Sequence, residues 1–184
     1  MKKGKYVVLD VEKANNDHAS VCQIGLIVLE NGVASGEFLS FVNPQSDFLE
    51  FHTRIHGIHA HHVQDAPTMA QLKGQLSEYL RDATVCSYGT SDKHALACFF
   101  DTSSMSWLDI STVVRHSLPE FKKGGHKLVK VAEYLGIPFN PNEAHNALAD
   151  AKVASEVLLR CLDRNPVNIE RFVSKPKTES FSLF

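Results

Sequence analysis

The chain has no apolar run long enough to cross a membrane, and its first apolar run, Tyr6–Leu9, ends at Asp10. A basic start followed by so short an apolar run is not typical of a signal peptide. The four cysteines form no CxxC pair and have no regular spacing, which favours reduced thiols over a disulfide framework. We therefore expect a cytoplasmic protein with no membrane partner.

An excess of charge of either sign is also missing, since 19 Lys and Arg face 21 Asp and Glu, for a net charge of −2. A protein that binds nucleic acid by charge alone is usually basic, so this balance argues against a nonspecific coating protein. It leaves open an enzyme that grips one end of a strand through metal ions. The length of 184 residues fits one compact domain with a short tail.

Strand patterns and helix patterns alternate along the chain. The predicted strands are Lys5–Val11, Cys22–Glu30, Val33–Val42, Thr84–Tyr88 and Ser106–Ile110, and the predicted helices are Pro67–Leu80, Asp92–Phe100, His126–Leu135 and Ala147–Leu162. Asn31-Gly32 is a strong hairpin signal between the second and third strands. The order predicts an α/β domain with a mixed five-stranded sheet flanked by helices. We assign residues 1–164 to this domain and residues 165–184 to a C-terminal tail.

The first candidate site residues are Asp10 and Glu12, at the end of the first strand. Residues i and i+2 of a strand point to the same face, so the two carboxylates project together. Two like charges beside an apolar strand are costly unless a cation pairs them, and Mg²⁺ takes carboxylate oxygens as ligands. The alternative is an exposed strand end with two solvated acids.

The second candidate pair, His145 and Asp150, lies near the start of the last predicted helix. Residues five apart on one helix lie about 140° around the axis and would not share a face. If Asn146 caps the helix, His145 lies in the preceding loop and can turn toward a site that Asp150 faces. The alternative is a capped helix with a surface histidine.

A third candidate, Asp92, follows a short strand and a turn at Gly89. This placement puts another carboxylate at the C-terminal edge of a strand, where ligands bind in open α/β sheets. The alternative is that Ser91 or Asp92 serves only as a helix cap.

The order of these motifs along the chain resembles that of the DEDDh family of 3′–5′ exonucleases: D-x-E at Asp10 and Glu12, then Asp92, then H-x4-D at His145 and Asp150. That family includes the proofreading subunit of bacterial replicative polymerase, ribonuclease T and oligoribonuclease. Further matching landmarks are Gln23-Ile24-Gly25, Ile55-His56-Gly57-Ile58, His126-Lys127-Leu128 and Leu135-Gly136-Ile137-Pro138. The resemblance covers about residues 5–162 and implies an RNase H-like fold. One departure is Ser87-Tyr88-Gly89-Thr90-Ser91-Asp92, where many members have His-Asn-x-x-Phe-Asp; this form resembles the branch that contains the histone-mRNA exonuclease.

The resemblance also implies a mechanism. Its site residues would be Asp10, Glu12, Asp92 and Asp150, which hold two Mg²⁺ or Mn²⁺ ions, and His145, the general base for the attacking water. The expected reaction releases nucleoside monophosphates from the 3′ end of single-stranded or 3′-ended DNA or RNA. An exoribonuclease that trims RNA ends and a non-catalytic nucleic-acid-binding module on the same fold stay open as alternatives, and DNA repair is one pathway that fits.

Three further segments carry weaker predictions. The basic run Lys122, Lys123, His126, Lys127 and Lys130 could hold substrate phosphates, or form only a solvated face. The histidines His52, His56, His59, His61 and His62 suggest zinc, but no cysteine or carboxylate arrangement completes a tetrahedral site. The end Ser180–Phe184 resembles the bacterial sliding-clamp-binding pentapeptide, and it could equally fold back on the chain itself. A homodimer also stays open.

Overall fold

The computed structural model describes residues 4–123, 125–140, 144–164 and 166–176. Within these residues, the β-strands are Lys5–Lys13 (β1), Val21–Glu30 (β2), Val33–Phe41 (β3), Thr84–Ser87 (β4), Ser106–Asp109 (β5) and Val173–Ser174 (β6). The α-helices are Glu50–His56 (α1), Ala60–Val63 (α2), Met69–Leu80 (α3), Ser91–Ala97 (α4), Ile110–Ser117 (α5), Leu128–Leu135 (α6) and Ala147–Arg164 (α7).

The strands form one mixed sheet in the order β3-β2-β1-β4-β5-β6. Strand β1 pairs antiparallel with β2 and parallel with β4, which in turn pairs parallel with β5. The predicted α/β class and mixed sheet are confirmed, but the predicted count of five strands is wrong by one. The sixth strand has two residues, with Val173 paired to Leu108 and Ser174 to Trp107, too few to leave a periodic pattern. Ile169 is also buried, so the start of the segment predicted as a tail packs against the domain.

Both faces of the central strands are covered, because β1 and β2 are apolar on both sides. Tyr6 and Val8 of β1 point into a core shared with α5, α6 and α7. Val7, Leu9 and Val11 point into a second core shared with α3 and α4. Because side chains alternate along a strand, Asp10 and Glu12 lie on the same face of β1 as Tyr6 and Val8.

Local signals account for several of the element boundaries. The β2–β3 turn has positive φ at both Asn31 (52°) and Gly32 (86°), as a type I′ hairpin requires. Helix α3 begins with a capping box between Thr68 and Gln71. Helices α1 and α2 were not predicted. Helix α1 buries only Thr53 and therefore lacks an apolar stripe, and α2 has only four residues. None of the helices in the described ranges has the length and apolar composition needed to span a bilayer.

Candidate active site

Asp10 and Glu12 lie on β1 beyond the end of its parallel pairing with β4, which stops at Val8. They share the face of Tyr6 and Val8, which is the side covered by α7. Both carboxylates are half-buried, so the alternative of two solvated acids is wrong. The edge of the sheet therefore presents two neighbouring acids to the start of α7.

Asp92 approaches the same acids from α4. Its side chain is 6% exposed, and its Oδ1 accepts a hydrogen bond of 3.3 Å from the backbone N–H of Val11. Because Val11 lies between Asp10 and Glu12, this bond ties the third carboxylate to the first two. The N-cap of α4 is Thr90, so capping does not account for Asp92.

His145 and Asp150 complete the cluster from the start of α7. The Oδ1 atom of Asn146 accepts hydrogen bonds of 3.1 Å from Leu148 N and Ala149 N, which confirms the predicted cap. His145 precedes the helix and has a left-handed backbone, with φ of 62°. Side-chain ligand atoms of Glu12, His145 and Asp150 all lie within 4.8 Å of one another.

Strand β2 holds the start of α7 above the acids. Gly25 lies directly across from Asp10 in the β1–β2 ladder, and Gln23 lies across from Glu12. A Cβ atom on Gly25 would lie 2.2 Å from the backbone nitrogen of Leu148, so only glycine lets the helix approach this closely. The Oε1 atom of Gln23, 4% exposed, accepts a 2.8 Å hydrogen bond from Ala147 N.

Burial raises the pKa of all four acids, and neighbouring carboxylates add to this effect at Asp10, Glu12 and Asp92. Burial is the largest cause of the strongly raised pKa of Asp10, and the other three carboxylates add to it. Burial and neighbouring acids raise the pKa of Glu12 to about 8, and burial raises the pKa of Asp92 to about 7. Burial also raises the pKa of Asp150, while the charge and the backbone hydrogen bond of His145 lower it. Without a cation, the site favours protonated carboxyl groups.

This donor set fits a hard divalent cation, which takes carboxylate oxygens and lowers the cost of placing several acids together. Among the described residues, Glu12, His145 and Asp150 form the one group of three or more potential ligands with atoms this close. The rings of His59, His61 and His62 contact one another, with centroids 4.1–5.6 Å apart, but do not form such a group. The structure therefore gives no support to zinc at the histidine-rich segment.

A cavity of about 490 Å³ adjoins His145 and Asp150, large enough for a nucleotide. It is lined by Tyr88, Gly125, His126, Lys127, Leu128, Val129, Phe139, Ala144, His145 and Asp150. The Tyr88 hydroxyl donates a 2.9 Å hydrogen bond to the carbonyl of His126 and so joins two of its walls. Lys122, Lys123 and Lys130 are exposed and do not line it, so the structure divides the predicted basic run.

Comparison with known proteins identifies the family of the chain. The sequence profile of the RNase_T exonuclease family matches residues 7–158. The chain belongs to this exonuclease family. The chain is 25% identical over 171 residues to the PolC-type DNA polymerase III of Caldanaerobacter subterraneus subsp. tengcongensis, spanning 88% of this chain and 12% of that protein. It is 24% identical over 173 residues to the Bacillus subtilis 3′-5′ exonuclease DinG, spanning 89% of this chain and 18% of that protein. The chain thus spans less than a fifth of the length of either relative.

Solved structures support the fold of this chain. The nuclease domain of 3′hExo, a DEDDh family member bound to rAMP, superposes with a TM-score of 0.70 at 18% identity, covering 91% of this chain and 96% of that one. Exonuclease I superposes with a TM-score of 0.76 at 15% identity, covering 89% of this chain and 42% of that one. The predicted family and RNase H-like fold are confirmed.

Sequence reasoning missed several residues that hold the candidate site in place. Gln23 and Gly25 entered only as landmarks of the resemblance, and their contacts with α7 depend on tertiary packing. Asp109 was not singled out, although its Oδ1 accepts hydrogen bonds of 2.9 Å from Gly89 N and Ser111 N. That carboxylate holds the turn that leads from β4 to Asp92. An Asp with Ser two positions later and Thr three positions later, after a short strand, was the available signal, since Asp at this place is typical of a helix N-cap.

Proposed function

We propose that this exonuclease removes nucleoside monophosphates from the 3′ end of DNA or RNA by metal-dependent hydrolysis. The observation that carries the proposal is the convergence of acids from β1, α4 and α7 at one edge of the sheet, beside His145. Membership of the exonuclease family and the 3′-5′ exonuclease named among its relatives support the same direction of attack. A non-catalytic binder would have no need for four clustered carboxylates that are at least half-buried.

The metal ligands in this proposal are Asp10, Glu12, Asp92 and Asp150. Two bound Mg²⁺ or Mn²⁺ ions would supply Lewis acidity for the attacking water and for the departing 3′ oxygen. The carboxylates orient that chemistry, because Asp92 is fixed to the backbone of β1 and Asp150 lies in the first turn of α7. Their raised pKa values support the assignment, since a cation at this position would favour the charged form of each acid.

His145 is the proposed general base. Its imidazole is exposed, so it can accept a proton from a water molecule as the oxygen bonds to phosphorus and the bond to the 3′ oxygen breaks. The Asp150 carboxylate interacts electrostatically with His145 and would stabilise the imidazolium that forms. The left-handed backbone outside α7 allows both side chains to face one point, which a continuous helix would prevent.

The cavity is the proposed site for the terminal nucleotide. Tyr88, Leu128 and Phe139 offer an apolar wall for a base, and His126 and Lys127 offer polar contacts for phosphate. Lys122 and Lys123 stand outside the cavity, so any role for them would involve nucleotides further along the strand.

RNA is the second candidate substrate. It is favoured by the Ser87-Tyr88-Gly89 form of the central motif and by the likeness to the 3′hExo nuclease domain, which is bound to rAMP. Initial rates on DNA and RNA oligonucleotides of the same sequence would decide between the two substrates.

Labelled oligonucleotides test the reaction. In Mg²⁺ or Mn²⁺, a 5′-labelled strand should shorten stepwise while a 3′-labelled strand should release labelled mononucleotide at once. Asp10→Asn should lower turnover by at least about a thousandfold, because metal-site charge stabilisation is worth several kcal/mol. Asp163→Asn is the matched control, since Asp163 is exposed at the far end of α7. His145→Gln should lower turnover much more than binding. A wild-type protein that binds oligonucleotides but cleaves none would favour the non-catalytic alternative.

Three predictions about partners and location stay proposals. Ser180–Phe184, the predicted clamp-binding end, lies outside the described residues, and a peptide of residues 175–184 titrated against a bacterial clamp would test it. Light scattering would test for a homodimer. A cytoplasmic location is supported by four free cysteines, of which Cys22, Cys86 and Cys161 are buried, and cell fractionation would test it. DNA repair also stays a proposed pathway for this chain.

A further inference from the structure

Three basic side chains meet beside the acids, on the side of α4 rather than the cavity. The Nζ atom of Lys13 lies 3.4 Å from Nδ1 of His18, whose ring contacts that of His94 edge-on with centroids 5.3 Å apart. Lys13 directly follows Glu12, and His94 lies on α4 two residues after Asp92. None of the three lines the cavity next to His145.

The charge of Lys13 acts on Asp92 but is not taken up by a salt bridge within the described residues. No carboxylate oxygen in the described ranges lies within 4.0 Å of its Nζ atom. An ammonium group can only donate, so Nδ1 of His18 must be the acceptor and Nε2 must carry the proton. Lys13 and His18 therefore each keep an N–H group that can donate a hydrogen bond to an anion. The exposed ring of His94 adds a further donor at the same place.

The loop that carries His18 is held in place before any ligand arrives. Asp17 N donates to Asn15 Oδ1 at 2.9 Å, and Ala19 N donates to Asp17 Oδ1 at 2.9 Å. The hydroxyl of Ser20 donates to the carbonyl of Asp17 at 2.7 Å. These bonds lie on both sides of His18 and already order the loop. The loop therefore loses little conformational entropy when it binds a ligand.

A nucleic-acid strand needs such a cation here. Two bound divalent ions would balance the charge of the four carboxylates, so the metal site has no net positive charge left for a second phosphate. The next phosphate along the backbone lies near this site, because successive phosphates of a strand are close neighbours. The ammonium of Lys13, which interacts electrostatically with Asp92, supplies positive charge at this place, whereas Lys122 and Lys123 do not line the cavity.

We propose that Lys13, His18 and His94 form a phosphate-binding site that holds a substrate backbone phosphate next to the scissile one. The ligand is a phosphodiester group of a single strand, bound by a charge-assisted hydrogen bond from Lys13 and by N–H donors of the two histidines. The site rests on the proposed exonuclease function, since it places a second phosphate of the same substrate. None of its residues lines the cavity, so the two sites would hold different parts of the strand.

Salt-dependent binding tests the proposal. A short 5′-labelled single-stranded DNA is titrated with the full chain in Ca²⁺ at several salt concentrations, with gels to verify that the strand stays intact. Lys13→Gln should weaken binding about tenfold and reduce the slope of log K against log salt by about 0.7, the value for one single-strand phosphate contact. His18→Gln and His94→Gln should each weaken binding about threefold.

Lys5→Gln is the matched control. Lys5 lies at the opposite end of β1, about 27 Å away at the usual rise of a strand, and its Nζ donates to the carbonyls of Glu78 and Arg81. This variant should bind with the wild-type slope. The proposal is overturned if Lys13→Gln keeps the wild-type affinity and slope, or if neither histidine variant weakens binding. Failure of the proposed function looks different, because the wild-type protein would then leave 3′ ends intact in Mg²⁺ whatever the salt slopes.

Discussion

Replacing Gln23 by methionine removes the amide oxygen that accepts the Ala147 N–H and leaves the side-chain length nearly unchanged. Ala147 and Gln23 are both buried, so water cannot replace the lost acceptor. A buried backbone donor left without a partner costs about 1–3 kcal/mol. For a domain of this size, that corresponds to a fall in Tm of roughly 2–12 °C. Because the same bond fixes the start of α7, the positions of His145 and Asp150 should loosen as well.

Melting curves and steady-state kinetics on the same preparations test this reasoning. We expect Gln23→Met to lower turnover by about tenfold to a hundredfold, the usual cost of displacing catalytic groups by about 1 Å. Gln71→Met is a matched control, because Gln71 Oε1 accepts a 2.7 Å hydrogen bond from Thr68 N at the exposed start of α3. There water can replace the amide, so Tm and turnover should change little. Equal losses of Tm in the two variants, or full activity in Gln23→Met, would refute the proposed support of α7.

Three further predictions follow from the site. The pKa of Glu12 is raised to about 8 and that of Asp92 to about 7 in the metal-free folded state. Above about pH 4.5 the unfolded chain has lost these two protons, whereas the folded protein still binds them. The free energy of unfolding should therefore fall as pH rises from about 5 to 8, and Mg²⁺ should raise Tm more at pH 8 than at pH 6; a flat profile without metal would contradict this. Gly25→Ala should destabilise the fold by more than about 1 kcal/mol and lower activity, because its Cβ would meet Leu148 N at 2.2 Å; a wild-type Tm would argue against the close approach. Tyr88→Phe should raise KM several-fold with a loss of about 0.5–1.5 kcal/mol in stability, since its hydroxyl joins two walls of the cavity; an unchanged KM would separate the cavity from substrate binding.

Periodicity was sufficient where a side-chain pattern alone determines geometry. The period of two along β1 predicts that Asp10 and Glu12 share a face, and the structure places both on the side of α7. The cap at Asn146 predicts that His145 leaves the helix before Asp150, as observed. Local rules fixed these features because each involves atoms only a few residues apart.

Features that depend on tertiary contacts could not be predicted. Strand β6 has two residues, and α1 lies on the surface without an apolar stripe, so neither leaves a periodic signal. The close approach of Gly25 to Leu148 joins residues more than a hundred positions apart. The basic run looked uniform in sequence, yet the structure places only His126 and Lys127 at the cavity. Charge alone carries no information about which side of the sheet a lysine reaches.

Anomalous diffraction from crystals soaked in Mn²⁺ tests most directly the claim that the four carboxylates bind two metal ions. We expect two manganese peaks about 3.5–4 Å apart, within coordinating distance of the carboxylates of Asp10, Glu12, Asp92 and Asp150. In crystals of Asp150→Asn, at least one of the peaks should weaken or vanish. Wild-type crystals that diffract well and bind no manganese between these side chains would contradict the account.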